Sequence, residues 1–186
     1  MNGEVVPKII HKEVELLVKF RDYRKTNEED RKDGMDITVL DRENEKLLIR
    51  TITESKLASG NVGVNQVKAM KRDLEKGNIE SGILVAEGFS HSARREARRN
   101  GVELISEGML PSFNVFNHEL VPKHEILSNE DAEELLRKLR IEPYKLPRIK
   151  TLDPIVILIG AKPGDILKVT RKSLTAGNYV SYRYVI

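Results

Sequence analysis

The sequence contains no cysteine, which excludes disulfide bridges, thiolate metal sites and cysteine nucleophiles from any account of its function. No apolar run reaches the roughly 18 residues that a membrane-spanning helix needs. Charged residues interrupt the N-terminal twenty residues throughout, so the apolar core of a secretory signal is missing. We therefore expect a protein of the cell interior with no membrane partner, cytoplasmic or, if its source is eukaryotic, nuclear.

The sequence also has little net charge. Its 32 basic and 29 acidic residues leave +3, which does not establish a nucleic-acid partner. The charge is unevenly distributed: residues 1–117 carry 20 basic and 20 acidic residues, and residues 118–186 carry 12 and 9. Within that second part, residues 145–186 carry 8 and 2. The excess positive charge therefore lies near the C-terminal end.

The length of 186 residues suits one medium domain or two small ones, and the patterning favours two. In the first 115 residues, apolar spacing predicts an α/β domain with a mixed sheet flanked by helices. The predicted elements are a helix near 8–22, strands at 35–40 and 47–52, a helix ending at Gly77, a strand at 82–86, a helix from Ser90 or Ser92 to Gly101, and a strand at 102–105. The polar segment KTNEEDRKDG (25–34) is predicted to be a loop or turn.

Residues 116–186 form the second predicted domain, a small α+β module. Ser128 and Asp131 predict the start of a helix whose buried stripe is Leu135, Leu136 and Leu139. Prolines then mark a connector, and Asp153-Pro154 opens a short helix. Two strands at 166–172 and 179–185 predict a β-hairpin.

Four blocks in this second module resemble a family of RNA polymerase assembly subunits, which comprises the archaeal H-type polypeptide and the shared fifth subunit of eukaryotic polymerases. They are HELVPKHEILS (118–128), LPRIKTLDPIV (146–156), GAKPGDILKVTRKS (160–173) and TAGNYVSYRYV (175–185). The resemblance implies a subunit without catalytic residues of its own or cofactor, and with no small-molecule substrate. It further implies that the module docks on the largest polymerase subunit within the polymerase core.

The first domain resembles the N-terminal jaw that eukaryotic members of this family add, and about equally a restriction-endonuclease-like domain of the Mrr type. The segments that carry this are DGMDITVL, VGVNQVKAM, SGILVAEGFSHSARREA and VELISEGML, in that order. A jaw would face downstream duplex DNA, with weak and non-specific contacts. The chain would then be a full-length subunit with a C-terminal module of archaeal type.

Nuclease chemistry of the Mrr type needs an Asp on one strand and Gln/Glu-x-Lys on the next, to hold a divalent cation and stabilise charge at the attacked phosphate. Asp36 stands where the first carboxylate belongs, but Arg50 replaces the Gln/Glu and Ile52 replaces the Lys. A cation and an apolar side chain cannot perform these tasks. The sequence therefore predicts a nuclease-like fold with degenerate catalytic positions. No metal site is predicted, since the histidines at 11, 91, 118 and 124 lack ligand spacing.

Four arginines, Arg94, Arg95, Arg98 and Arg99, are predicted to share one helix face. They could form a solvated face, favoured by cations near a helix C-terminus, or contact DNA phosphates. In the hairpin, basic and aromatic residues interleave: Lys168, Arg171, Lys172, Tyr179, Tyr182 and Arg183. Such a surface could stack single-stranded bases or form a protein interface, and the resemblance favours contact with a partner subunit.

Three functions therefore remain open from the sequence: a polymerase assembly subunit, an Mrr-type metal-dependent nuclease, and a free nucleic-acid-binding module. The replaced catalytic positions argue against the second. The neutral first domain argues against strong DNA binding by the third.

Overall fold

The computed structural model describes residues 9–53, 61–106, 108–111, 121–173 and 177–186. The chain divides into two compact units, Met1–Phe113 and Asn114–Ile186. The predicted boundary at 115/116 lies outside the described residues. None of the described helices is long and apolar enough to span a membrane.

The N-terminal unit contains three helices and seven strands within its described residues. They are, in order, α1 (Ile9–Phe20), β1 (Arg24–Arg31), β2 (Gly34–Leu40), β3 (Lys46–Ile52), β4 (Asn61–Val62), α2 (Val64–Gly77), β5 (Ser81–Ala86), β6 (Gly88–Phe89), α3 (His91–Asn100) and β7 (Val102–Ser106). The main sheet has the order β1-β2-β3-β5-β7. The first three strands are antiparallel and the last three parallel, and β4 and β6 form a separate parallel pair. The predicted mixed α/β sheet is confirmed.

The core of this unit is built around the inner strands β3 and β5. β5 is buried from Gly82 onward because the sheet is covered on both faces. Apolar residues of β3, β5, α2 and α3 form one buried cluster, which includes Ile52, Met70, Leu84 and Ala97. The glycine at position 82 lets α2 approach the sheet closely, because a Cβ there would lie 2.5 Å from Cε of Met70.

The prediction that residues 25–34 form a loop or turn is wrong for residues 25–31, which form most of β1 and pair antiparallel with β2, with a register shift between Lys25 and Asn27. Residues 32 and 33 do form a turn, and Gly34 begins β2. β1 is a sheet edge and almost fully exposed, so its side chains are polar and show no apolar alternation. The sequence pattern that identifies half-buried strands is absent from such an edge.

Helix ends were mostly predicted correctly. Ser90 caps α3, its Oγ accepting a hydrogen bond from the N–H of Ala93 at 3.2 Å, and Gly101 ends the helix with a positive φ of 67°. For α2, the predicted cap at Gly77 is wrong by one residue. Asn78 adopts the left-handed conformation with φ 49°, which asparagine tolerates better than most residues.

The C-terminal unit is a four-stranded sheet with two helices among its described residues. The elements are β8 (Lys123–Ile126), α4 (Asn129–Leu139), a 3₁₀ turn (Pro143–Lys145), β9 (Arg148–Ile149), α5 (Pro154–Ile159), β10 (Ile166–Ser173) and β11 (Gly177–Val185). The order is β8-β10-β11-β9, with β9 and β11 parallel and the other pairs antiparallel. The predicted α+β module with a hairpin is confirmed; the short strands β8 and β9 were not predicted.

The predicted buried stripe of α4 is wrong. α4 has no buried residue: Leu135 and Leu136 are half-buried, and Leu139 is 46% exposed. The helix start is as predicted, since Oγ of Ser128 accepts a hydrogen bond from the N–H of Asp131 at 3.1 Å. The small core of this unit lies elsewhere, around α5 and the hairpin.

Candidate functional site

The degenerate nuclease positions Asp36 and Arg50 lie directly opposite each other on β2 and β3. Nε and Nη2 of Arg50 donate to the two carboxylate oxygens of Asp36, both at 2.7 Å. Arg50 is 1% exposed. This is a bidentate, charge-assisted pair that occupies both oxygens of the carboxylate. The carboxylate that the sequence analysis compared with a nuclease metal ligand therefore faces the guanidinium of Arg50.

The guanidinium of Arg50 has a second carboxylate partner. Nη2 of Arg50 also donates to Oδ2 of Asp73 on α2, at 2.8 Å. Burial disfavours the charged guanidinium, but the hydrogen bonds that Arg50 donates to Asp36 and Asp73 outweigh it, and the pKa of Arg50 lies above its ordinary value. One buried cation thus connects β2, β3 and α2. Asp73 was not identified from the sequence, because nothing in its helical pattern marks a side chain 23 residues away as a partner.

A further acidic residue lies just before β2. Asp33 accepts a hydrogen bond from Nε2 of Gln66 at 3.0 Å and lies 3.4 Å from Nε of Arg31. Burial raises the pKa of its carboxyl, but the Gln66 hydrogen bond and the Arg31 charge outweigh burial and hold that pKa below its ordinary value. Nη1 of Arg31 also lies 3.4 Å from Asp36. The carboxylates at this end of the sheet are therefore neutralised by arginines.

Ile52 follows Arg50 by two residues and so lies on the same face of β3. It is 3% exposed and packs in the apolar cluster beneath α2. Its apolar side chain has no hydrogen-bond donor, as expected from the sequence. Among the described residues, no group of three or more His, Asp or Glu side chains is arranged to hold a metal ion.

The four arginines of α3 are all exposed. The opposite face of the helix packs through Ala93 and Ala97, which are 0% and 2% exposed. Within the described part of the chain, none of the four arginines forms an ion pair. Nε of Arg94 donates to the carbonyl of Phe89 at 3.3 Å, which leaves its charge uncompensated. The predicted basic face therefore exists as one surface.

The six hairpin residues do not form one surface. Lys168 lies opposite Tyr182, and Arg171 lies opposite Tyr179, and these two pairs project to opposite faces of the hairpin. Arg183 shares the face of Arg171. Tyr179 is 61% exposed, whereas Tyr182 and Arg183 are half-buried. The side chain of Lys172 lies outside the described residues.

His124 on β8 lies opposite Val169 and therefore on the face of Arg171 and Arg183. Its ring nitrogen Nδ1 hydrogen-bonds the carbonyl of Pro122 at 2.8 Å. Burial lowers the pKa of the imidazole, the Pro122 carbonyl and Asp153 oppose this, and the charges of the two arginines lower it further. This face of the sheet is consequently cationic even without a protonated histidine. His118 lies outside the described residues.

Two family models match the chain and together cover nearly all of it. Residues 4–112 match the model described as restriction endonuclease. Residues 113–185 match the model described as RNA polymerase Rpb5, C-terminal domain.

Characterised relatives match the C-terminal part of the chain. The DNA-directed RNA polymerase subunit Rpo5 of Thermococcus onnurineus is 60% identical over 74 residues, which are 40% of this chain and 90% of that protein. The Archaeoglobus fulgidus subunit of the same name is 62% identical over 74 residues, or 40% of this chain and 97% of that protein.

Solved structures that match the chain do so distantly. The structure of EndoMS in its apo form has 16% sequence identity to this chain and a TM-score of 0.40, over 52% of this chain. A repair endonuclease from Pyrococcus abyssi has 16% identity and a TM-score of 0.36 over 52% of this chain. This chain spans 45% of each of those chains.

Proposed function

Because this chain belongs to the RNA polymerase Rpb5 family in residues 113–185 and to the restriction endonuclease family in residues 4–112, we propose that it is a subunit of a DNA-directed RNA polymerase. The observation that carries this proposal is the 60% identity that extends over 90% of an Rpo5 relative. The C-terminal unit corresponds to nearly the full length of those relatives, and the N-terminal unit is an addition to it.

The C-terminal unit serves as the anchor, docking on the largest polymerase subunit through its hairpin. Support comes from the exposure of Tyr179 and from the uncompensated cations Arg171 and Arg183. Tyr and Arg are the side chains that interfaces favour. The exposed leucine of α4, Leu139, and the exposed Leu152 provide further apolar surface that the isolated unit leaves in water.

The N-terminal unit serves as a jaw that faces downstream duplex DNA through the arginines of α3. Four exposed guanidiniums on one helix face, none paired with a described acidic residue, suit phosphates better than they suit bases. The contacts are therefore independent of DNA sequence. Because the first 117 residues carry no net charge, binding by this unit alone is weak.

The N-terminal unit has no nuclease activity of its own. The buried Arg50 already fills the position of a metal cation between Asp36 and Asp73, and Ile52 replaces the lysine that would stabilise the transition state. A divalent cation would have to displace a guanidinium that makes three hydrogen bonds to these two carboxylates.

A nuclease of the Mrr type is the second candidate, favoured by the family match over residues 4–112. The two candidates are separated by purifying the tagged chain from its own cells and assaying it. A polymerase subunit copurifies with the large polymerase subunits and leaves duplex DNA intact in Mg²⁺ or Mn²⁺. Cleavage that persists in highly purified chain and disappears in Asp36→Asn would establish the nuclease instead.

A further inference from the structure

The strand β11 has one edge that the described residues leave largely unpaired. On one side, β11 pairs with β10 from Gly177 to Tyr184. On the other side, β9 pairs with Tyr184 and Val185 alone. In the described part of the chain, no strand lies beside this second edge, the outer edge, between Gly177 and Arg183.

The orientation of the backbone along the outer edge follows from its paired end. The N–H groups of Tyr184 and Ile186 donate to the carbonyls of Pro147 and Ile149, both at 2.9 Å. In a strand, alternate residues direct their N–H and C=O groups to the same side. Asn178, Val180 and Tyr182 therefore present their backbone donors and acceptors to the outer edge. The intervening residues direct theirs to β10.

The side chains beside the outer edge are apolar on both faces. Tyr179 projects to one face and is 61% exposed, and Val180 projects to the other and is 38% exposed. An additional strand would cover both. Natural sheets usually protect such edges with charge, prolines or bulges, because an open edge pairs with other chains. On β11 itself the residues from 177 to 182 carry no charge and no proline.

The positive charge around the outer edge indicates which kind of segment would pair with it. Residues 145–186 carry 8 basic and 2 acidic residues, and neither Arg171 nor Arg183 forms an ion pair with a described residue. Edge-to-edge pairing of two copies would bring like charges together, which opposes association. An acidic segment would instead bring carboxylates toward the face of the sheet from which Arg171 on β10 and Arg183 on β11 project.

We propose that the outer edge of β11, from Asn178 to Tyr182, receives an extended acidic segment of another polymerase subunit as an added β-strand. The added strand continues the line of β9 and takes the fourth position of the sheet beside β11. This inference rests on the proposed function, because it specifies how the hairpin docks. Main-chain hydrogen bonds supply affinity in such strand addition, and the flanking side chains supply specificity.

Amide hydrogen exchange with residue resolution tests the proposal, comparing the free full-length chain with the chain assembled into its polymerase core. The amides of Val180 and Tyr182 are expected to exchange at least roughly tenfold more slowly after assembly. The amide of Ser181, directed to β10, changes little and serves as the internal control. A complex that forms while Val180 and Tyr182 keep their fast exchange overturns strand addition and leaves the subunit assignment intact. Failure to assemble overturns the proposed function itself.

A backbone variant separates strand addition from side-chain contact. Val180→Pro removes an N–H that faces the outer edge, and proline is tolerated at such edge positions, so the hairpin is expected to remain folded. Assembly with the core is expected to weaken at least roughly tenfold. The matched variant Val180→Thr keeps the N–H and the branched shape and assembles normally. Equal assembly of the two variants, each with an unchanged circular dichroism spectrum, contradicts the proposal.

A charge variant tests the acidic character of the occupant. The double variant Arg171→Glu, Arg183→Glu is expected to weaken assembly. The double variant Arg171→Lys, Arg183→Lys should retain most of it, because electrostatic attraction of an acidic segment depends mainly on the charge of these side chains. A photo-crosslinker at Asn178 then identifies the segment by mass spectrometry. Crosslinking to a second copy of this chain, or to a basic segment, overturns the acidic assignment.

Discussion

At the residue scale, the central feature is Arg50, a buried cation whose partners are Asp36 and Asp73. A buried guanidinium is tolerated because its hydrogen bonds to two carboxylates compensate the loss of hydration. Under the proposed function, the guanidinium of Arg50 takes the place of the metal cation that nuclease chemistry would need between Asp36 and Asp73.

Removing this guanidinium is expected to destabilise the protein. Arg50→Met removes the cation that Asp36 and Asp73 share and leaves Asp36 only the longer contact with Arg31 at 3.4 Å, so we expect a loss of about 3 kcal/mol of unfolding free energy. Urea unfolding followed by circular dichroism measures it. Arg50→Lys keeps the charge but loses the bidentate geometry, and should fall between wild type and Arg50→Met.

The double variant Arg50→Met, Asp36→Asn supplies the control for this prediction. Because the double variant also removes the negative charge at position 36, which has lost its main partner, it should be more stable than Arg50→Met alone. If all three variants unfold at the wild-type urea concentration, the buried pair is not a stabilising element and the account of this site fails.

The stability of the fold should depend on pH through Asp33. Its pKa in the folded protein lies below its ordinary value of 3.8, so ionised Asp33 stabilises the fold above pH 3.8, and this contribution disappears as the pH falls through the folded pKa. Asp33→Asn should therefore be less stable than wild type at pH 6, and the difference should shrink below pH 3.8. Asp30→Asn, at an exposed position on β1, should show no difference at either pH. A difference for Asp33→Asn that stays constant with pH would contradict the linkage.

At the element scale, most of the fold could be predicted from the sequence, and the incorrect predictions of β1 and α4 share a cause. Elements with a buried face, such as β2, β3, α2 and α3, show the expected periodicity. β1 does not, because an exposed edge strand needs no apolar face. α4 shows a leucine stripe that this unit does not bury, because periodicity indicates that a face is apolar but not what covers it.

The candidate site, like the fold, could be predicted from the sequence only in part. Arg50 could be recognised from the sequence as a replacement for the expected Gln/Glu, because the Mrr pattern fixes that position relative to Asp36. Its pairing with Asp36 became evident only from the register of β2 and β3. The third partner, Asp73, could not, because it depends on how α2 lies across the sheet. Five of the six predicted hairpin residues could be assigned to one face or the other only from the register of β10 and β11.

The close pairing of β2 and β3 requires a residue without a side chain at position 34. A Cβ there would lie 1.8 Å from the backbone carbonyl oxygen of Thr51, which cannot move without disturbing the β-ladder. Gly34→Ala is therefore expected to destabilise by about 3 kcal/mol or more in thermal or urea unfolding.

Gly77→Ala is the matched control. Its Cβ would meet the flexible end of the Ile79 side chain at 3.1 Å, so this variant should be near neutral. Equal stability of the two variants would mean that β2 and β3 are not paired as described.

At the scale of the whole molecule, the proposed function assigns anchoring to the C-terminal unit and DNA contact to the arginines of α3. If this is right, changing those arginines should affect DNA binding without affecting assembly. We expect the Ala variant of all four to shorten the lifetime of the polymerase–DNA complex. The slope of log affinity against log salt should decrease by roughly 0.9 for each phosphate that the variant no longer neutralises.

The variant with four lysines in place of these arginines keeps the charge and should retain most of the binding, because phosphate contacts need charge more than geometry. An unchanged complex lifetime in the alanine variant would mean that α3 is a solvated helix face. Assembly with the core, measured in parallel by gel filtration, should be the same for all three proteins.

The most direct test of the central claim is native mass spectrometry of the polymerase purified from the protein's own cells through a tag on its largest subunit. The account predicts one copy of this 21.2 kDa chain per polymerase, with both units present. A polymerase that lacks the chain, while the chain is recovered elsewhere in the same cells, would contradict it.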